Sequence, residues 1–182
     1  EGQITVTMTT PVSASTGGVA GGTSFKLDGL TYAVQSGSLM LVAQGGDIQS
    51  LEKVDLVARR LLEALPHTPV AAIGFNAGFE ADNPDELLES FRQAQTDVVD
   101  AAPDGWAVTK QRIQTTLSDQ GSDLNITKTY DGTRVRLQFN HHTAVSTPAD
   151  ALAVLDRLTA QQAMEKAKAI AAAILKEELR NE

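Results

Sequence analysis

A chain of 182 residues is long enough for one substantial core, and 42% hydrophobic against 21% charged residues is the balance of a globular domain. A formal net charge of −8 argues against a general nucleic-acid binder, which needs a positive surface to displace counterions. The lack of cysteine excludes disulfides, thiolate catalysis and Cys-ligated zinc, and 4% aromatics leave few rings on which bases or sugars could stack.

Residues 3–10 alternate Ile4, Val6 and Met8 against threonines, the period of a half-buried strand. Residues 11–24 are rich in Gly, Ser and Thr and read as a loop. Gly17 and Gly22 have the spacing of a phosphate-binding loop, but Thr23 stands where that loop needs lysine, and strand-like residues follow instead of a helix. Residues 25–34 and 37–44 then form a meander of three short strands. Its clearest turn is Asp28-Gly29, a pair that tolerates positive φ at both central positions.

Residues 50–65 carry a helical stripe of Leu51, Val54, Ala58, Leu61 and Leu65. Ser50 is the expected N-cap, Asp55 and Arg59 pair one turn apart, and Pro66 and Pro69 end the helix. Residues 70–80 form a strand. Ala71, Ile73, Phe75, Ala77 and Phe79 share one face, and Ala72, Gly74, Asn76 and Gly78 share the other. Glycine weakens a strand, so two of them beside Asn76 imply close approach or a bend. Residues 83–99 are a helix, with Asn83 as cap, Pro84 at its first position and Glu86 completing a capping box.

Three antiparallel strands follow at residues 106–118, 123–130 and 133–140. A two-residue turn at Asp131-Gly132 would set Lys128 against Val135, Ile126 against Leu137 and Leu124 against Phe139, all on one apolar side. The opposite side would carry Asn125, Thr127, Arg134, Arg136, Gln138 and Asn140, so one face is covered and the other wet. Extending the alternation puts His141 on the covered face and His142 on the wet one. Adjacent strand residues point opposite ways and cannot chelate one ion. His67 lies in a turn between two prolines, so no metal site is expected.

Residues 148–180 form one long helical pattern capped by Thr147. At 1.5 Å per residue it would run roughly 50 Å, longer than the roughly 41 Å diameter of a compact chain of this size. It must kink, with Thr159-Ala160-Gln161-Gln162 as the polar place to do so, or overhang the body. A stripe through Ala163, Ala167, Ile170 and Ile174 needs cover, and a homodimer contact is the expected source.

The expected fold is one α+β domain over residues 1–182, with a largely antiparallel sheet, helices packed on one face and a long C-terminal helix. This element order resembles a helix-grip arrangement, which implies a concave sheet and final helix enclosing a ligand cavity. Asn76, Arg134, Arg136, Asn140 and His142 are the expected ligand residues on the wet face, suited to a small polar or anionic ligand or a protein partner. The first functional reading is a non-catalytic binding or assembly module that self-associates. The alternative is a small-molecule enzyme or cavity binder, with a pocket near Asn76, Asn140 and His141 or His142. There is no Gly-x-Ser-x-Gly elbow, His-Glu-x-x-His pair, EF-hand loop or dinucleotide fingerprint, so neither a cofactor nor a recognisable nucleophile set is expected. No apolar run approaches the roughly 18 residues of a membrane span, and a cytoplasmic protein is the simplest expectation.

Overall fold

A computed structural model of the chain describes residues 3–9, 23–35, 37–43, 47–81, 103, 109–119, 121–130 and 134–180. Of the expected loop over residues 11–24, residues 11–22 lie outside the described residues while Thr23 and Ser24 belong to a strand; the helix expected over 83–99 also lies outside them. Eight strands form one sheet: β1 (Gln3–Thr9), β2 (Thr23–Leu27), β3 (Leu30–Gln35), β4 (Ser38–Ala43), β5 (Ala72–Ala81), β6 (Gln111–Asp119), β7 (Ser122–Tyr130) and β8 (Val135–Ala144). Their order is β2-β3-β4-β1-β5-β8-β7-β6, and every pairing is antiparallel. Three helices accompany the sheet among the described residues: α1 (Ile48–Ala64), α2 (Pro148–Arg157) and α3 (Ala160–Arg180). The architecture is α+β, as the alternating pattern requires.

The β2–β3 turn is the expected one, with φ of 51° at Asp28 and 80° at Gly29. The β7–β8 turn is not. Tyr130, not Lys128, pairs with Val135, so Lys128 faces Leu137, Ile126 faces Phe139 and Leu124 faces His141. The connection is two residues longer than the expected hairpin. Because side chains alternate with period two, an even slip leaves every residue on its expected face. Of the strand expected over residues 106–118, residues 106–108 lie outside the described residues, and β6 begins at Gln111.

Asp47, not Ser50, caps α1. Its side chain accepts from the Ser50 N–H at 2.9 Å, so the helix starts ahead of its first core-facing residue, Leu51. The buried stripe is Leu51, Val54, Ala58 and Leu62, with Leu61 half-buried and Leu65 exposed beyond the helix end. Arg59 reaches Asp156 on α2 at 2.6 Å. Asp55 has a different task. Both its carboxylate oxygens accept from the Ala160 N–H at 3.0 Å, which satisfies a donor at the start of α3. Burial pushes the Asp55 carboxyl above the ordinary carboxylate range, opposed by that N–H and by the Arg59 charge.

The long C-terminal pattern is therefore two helices. Leu158 is extended, at φ −142° and ψ 109°. Thr159 then opens α3 with a reciprocal cap: its Oγ1 accepts from the Gln162 N–H at 3.2 Å, and Gln162 Oε1 accepts from the Thr159 N–H at 3.0 Å. The break folds α3 back over the sheet, where it contacts β5, β1 and β8. Ala163 and Ala167 are buried in the chain's own core, Ile170 packs against that core, and Ile174 is half-buried. The chain's own core therefore covers Ala163 and Ala167, so those two positions do not need a second copy for cover, while Ile170 and Ile174 keep part of their surface exposed.

The core lies between one face of the sheet and the three helices. Val6, Leu41, Phe75, Leu137 and Phe139 meet Val54, Leu155 and Met164 there. Among the described residues, no helix is long and apolar enough to cross a membrane.

Candidate functional site

The opposite face of the sheet is built from the alternate residues of the same strands, and no described helix contributes to its groove. Cross-strand register arranges it in transverse rows. One row is Gly74, His142, Asp123 and Ser118; the next is Asn76, Asn140, Asn125 and Thr116. A third is Gly78, Gln138, Thr127 and Gln114, and a fourth Glu80, Arg136, Thr129 and Arg112.

The second row is a hydrogen-bond chain running one way across the sheet. The Thr116 hydroxyl donates to Asn125 Oδ1 at 2.7 Å, and Asn125 Nδ2 donates to Asn140 Oδ1 at 3.5 Å. Asn140 Nδ2 donates to Asn76 Oδ1, and Asn76 Nδ2 donates to Thr7 Oγ1 on β1 at 3.2 Å. Each amide spends one N–H and one acceptor position in the row. Each keeps one of both for anything that lands on it. The row also locks the three amides into one orientation, which is the preorganisation that a recognition surface needs.

Beside this row lies a groove of about 440 Å³, lined on its polar side by Asn76, Asn125, Asn140, Gln138, Gln114 and Arg112. Gly78 is the reason for the hollow: a Cβ placed there would meet nothing within 4 Å. Gly74, two residues earlier on the same face, is different. Its Cβ would lie 3.0 Å from the His141 carbonyl oxygen, so the backbones approach closely at that point. The close approach inferred from these glycines is found at Gly74, whereas Gly78 borders open space.

Of the residues expected to form a site, Asn76 and Asn140 come together in this groove. Arg134 and Arg136 do not line it. Both turn to Glu80 on β5: Arg136 through a hydrogen-bonded ion pair, Arg134 at 3.7 Å. All three side chains are well exposed, so these pairs contribute little stability and mainly offset the arginine charge. Arg112 is the cation that the groove does contain. The sequence signal for it and for Gln114 was the alternation Arg112, Gln114, Thr116, Ser118 along β6, which is readable only once the register of that edge strand is known.

The histidines part as the alternation requires. His142 is exposed on the open face, in the row adjoining the asparagines, and His141 lies on the helix side facing Leu124. A pocket joining Asn76 and Asn140 to His141 is therefore not formed, because the sheet separates them. Burial holds His141 below the ordinary imidazole range, helped by the Lys166 charge, and its Nδ1 is buried without a hydrogen-bond partner. His67 is exposed in the turn after α1. Among the described residues, no group of three or more His, Cys, Asp or Glu could hold a metal ion.

Compared with known proteins, the chain matches no family model, no curated relative and no solved structure.

Proposed function

We propose that this chain is a non-catalytic binding module whose open sheet face takes a small polar ligand in the groove beside the asparagine row. The observation that carries this reading is the one-way chain Thr116–Asn125–Asn140–Asn76–Thr7 along a glycine-floored hollow. A line of fixed amides offers alternating donors and acceptors with no ordering cost left to meet. Its natural complement carries hydroxyl, amide or carboxylate groups, with Arg112 available for a negative one. Among the described residues that line the groove there is no nucleophile paired with a base, which favours binding over chemistry.

Gly78 provides the test. A Cβ there would meet nothing within 4 Å, so Gly78→Val puts a branched side chain into the groove and adds a good strand former. Native mass spectrometry of the purified protein, together with NMR mapping of the asparagine side-chain amides against a library of polar metabolites, reads the result. A bound small molecule that shifts the Asn76, Asn125 and Asn140 amides, and is lost in Gly78→Val, is the expected outcome. If no library member shifts those amides, or if binding survives the filled groove, the reading fails.

A further inference from the structure

On the other side of the sheet a second cleft opens, of about 380 Å³, inside the range of roughly 300–1,000 Å³ typical of ligand pockets. Its lining comes from the β6–β7 hairpin, from β8 and from the junction of α2 with α3. It is an open cleft, unlike the enclosed cavity that a helix-grip order implies.

Its walls divide by chemistry. Leu117 and Leu124 from the sheet face Val154 and Leu158 from the helix side. Leu117 remains 52% exposed, an apolar surface with no cover of its own. Behind His141 the cleft narrows into an apolar notch between Phe139, Ala163 and Ala167.

Among the polar groups, one pair is already satisfied: Ser122 shares a hydrogen bond of 2.8 Å with Thr143. What is left is uneven in charge. Lys166 forms no hydrogen bond or ion pair among the described residues, and Arg157 uses only its Nε, donating to the Ala153 carbonyl at 3.3 Å. Against these two cations the cleft holds one carboxylate, Asp119, at the hairpin end. In a chain of net charge −8, this is a local cationic site over an apolar floor.

We propose that this cleft binds a small amphipathic carboxylate, with its apolar body along Leu117, Leu124, Val154 and Leu158 and its head between Arg157 and Lys166 beside the His141 imidazole. The apolar walls supply affinity through burial, and the paired cations supply the sign of charge. The His141 imidazole adds one hydrogen-bonding position to the cleft. The site stands apart from the asparagine groove, since the sheet lies between them.

Octanoate, octylammonium and 1-octanol are matched probes that share a body and differ in head group. Isothermal titration of the intact protein, with the His141 ring followed by NMR, separates the outcomes. Octanoate is expected to bind and move the His141 signal, with octylammonium not binding and octanol binding more weakly. Arg157 and Lys166 are both exposed, so Arg157→Glu and Lys166→Glu keep the fold, and each is expected to weaken octanoate about tenfold or more. Gly78→Val, on the far face, leaves octanoate binding unchanged, so failure of one site is distinguishable from failure of the other. Absence of octanoate binding, equal binding of octylammonium, or indifference to both charge reversals overturns the assignment.

Discussion

Phe75 and Asn76 are neighbours on β5 and belong to different halves of the molecule. Phe75 is 3% exposed beneath the helices, and Asn76 lies half-buried on the open face in a hydrogen-bond chain. The same comparison holds along β8, where Leu137, Phe139 and His141 face the helices while Gln138, Asn140 and His142 face outward. One face of the sheet is occupied with holding the fold together. The other is ordered by polar contacts that stabilise little and orient much. A sheet with one wet side can carry recognition there without weakening its core, because period-two alternation decouples the two surfaces.

Replacing the two neighbours should break that comparison most visibly. Phe75→Ala is expected to cost about 3–5 kcal/mol, since it removes a ring from a filled core, and chemical denaturation measures it. Asn76→Ala should cost about 1 kcal/mol, the scale of ordinary hydrogen bonds at a half-buried site. Equal losses at both positions would mean that the open face is not separate from the core.

The two glycines of β5 sharpen the point within a single face. Gly74→Ala is expected to destabilise by about 1–2 kcal/mol, because the new methyl lies 3.0 Å from a backbone oxygen that cannot swing aside. Gly78→Ala should instead stabilise by about 0.5–1 kcal/mol, through the lower entropy of its unfolded chain and the absence of any clash. Thermal midpoints of the two variants decide the matter. A loss at Gly78 as large as that at Gly74 would contradict the hollow.

The smallest effect is expected from pH. His141 is held below the ordinary imidazole range chiefly by burial, so on acidification the unfolded chain takes up its proton before the folded one does. Stability is therefore full above the ordinary imidazole value and is lost as pH falls through it toward the lower folded one. His141→Gln should flatten the dependence of the thermal midpoint between about pH 7 and about pH 5. An unchanged slope in that variant would assign the dependence to other groups.

Much of this organisation was legible before any coordinates. The strand at residues 70–80 was readable face by face, and the outward set of Asn76, Asn125, Thr127, Gln138 and Asn140 emerged from alternation and one turn. That set survived even though the turn itself is longer than expected, because the slip of Tyr130 against Val135 is even. An odd slip would have exchanged the faces. The start of α1 was misplaced because Ile48 is exposed and Gln49 is polar, so neither marks the buried stripe, and the cap, Asp47, shows itself only through its bond to Ser50. Arg134 and Arg136 looked available for a ligand. Their partner, Glu80, is distant in sequence and sits across a strand pairing that no local pattern reveals.

The C-terminal helices show where local reasoning stops. Polar residues at 159–162 indicated a place to bend, and the reciprocal cap of Thr159 and Gln162 is local chemistry. That α3 folds back over the sheet rather than projecting goes with long-range contacts: Ala163, Met164, Ala167 and Ala171 enter the core, and Asp55 reaches the Ala160 N–H from another helix. The cover over Ala163 and Ala167 has the same long-range origin.

By itself the sequence determined which residues share a face, since the pleat dictates side-chain direction one strand at a time. Only the tertiary structure decided which strands lie side by side, and therefore that three asparagines from distant segments meet in one row while a cationic cleft opens behind them. Alternation is a property of neighbouring backbone units. Register and helix placement are settled by turn length and packing, which join residues the chain keeps far apart.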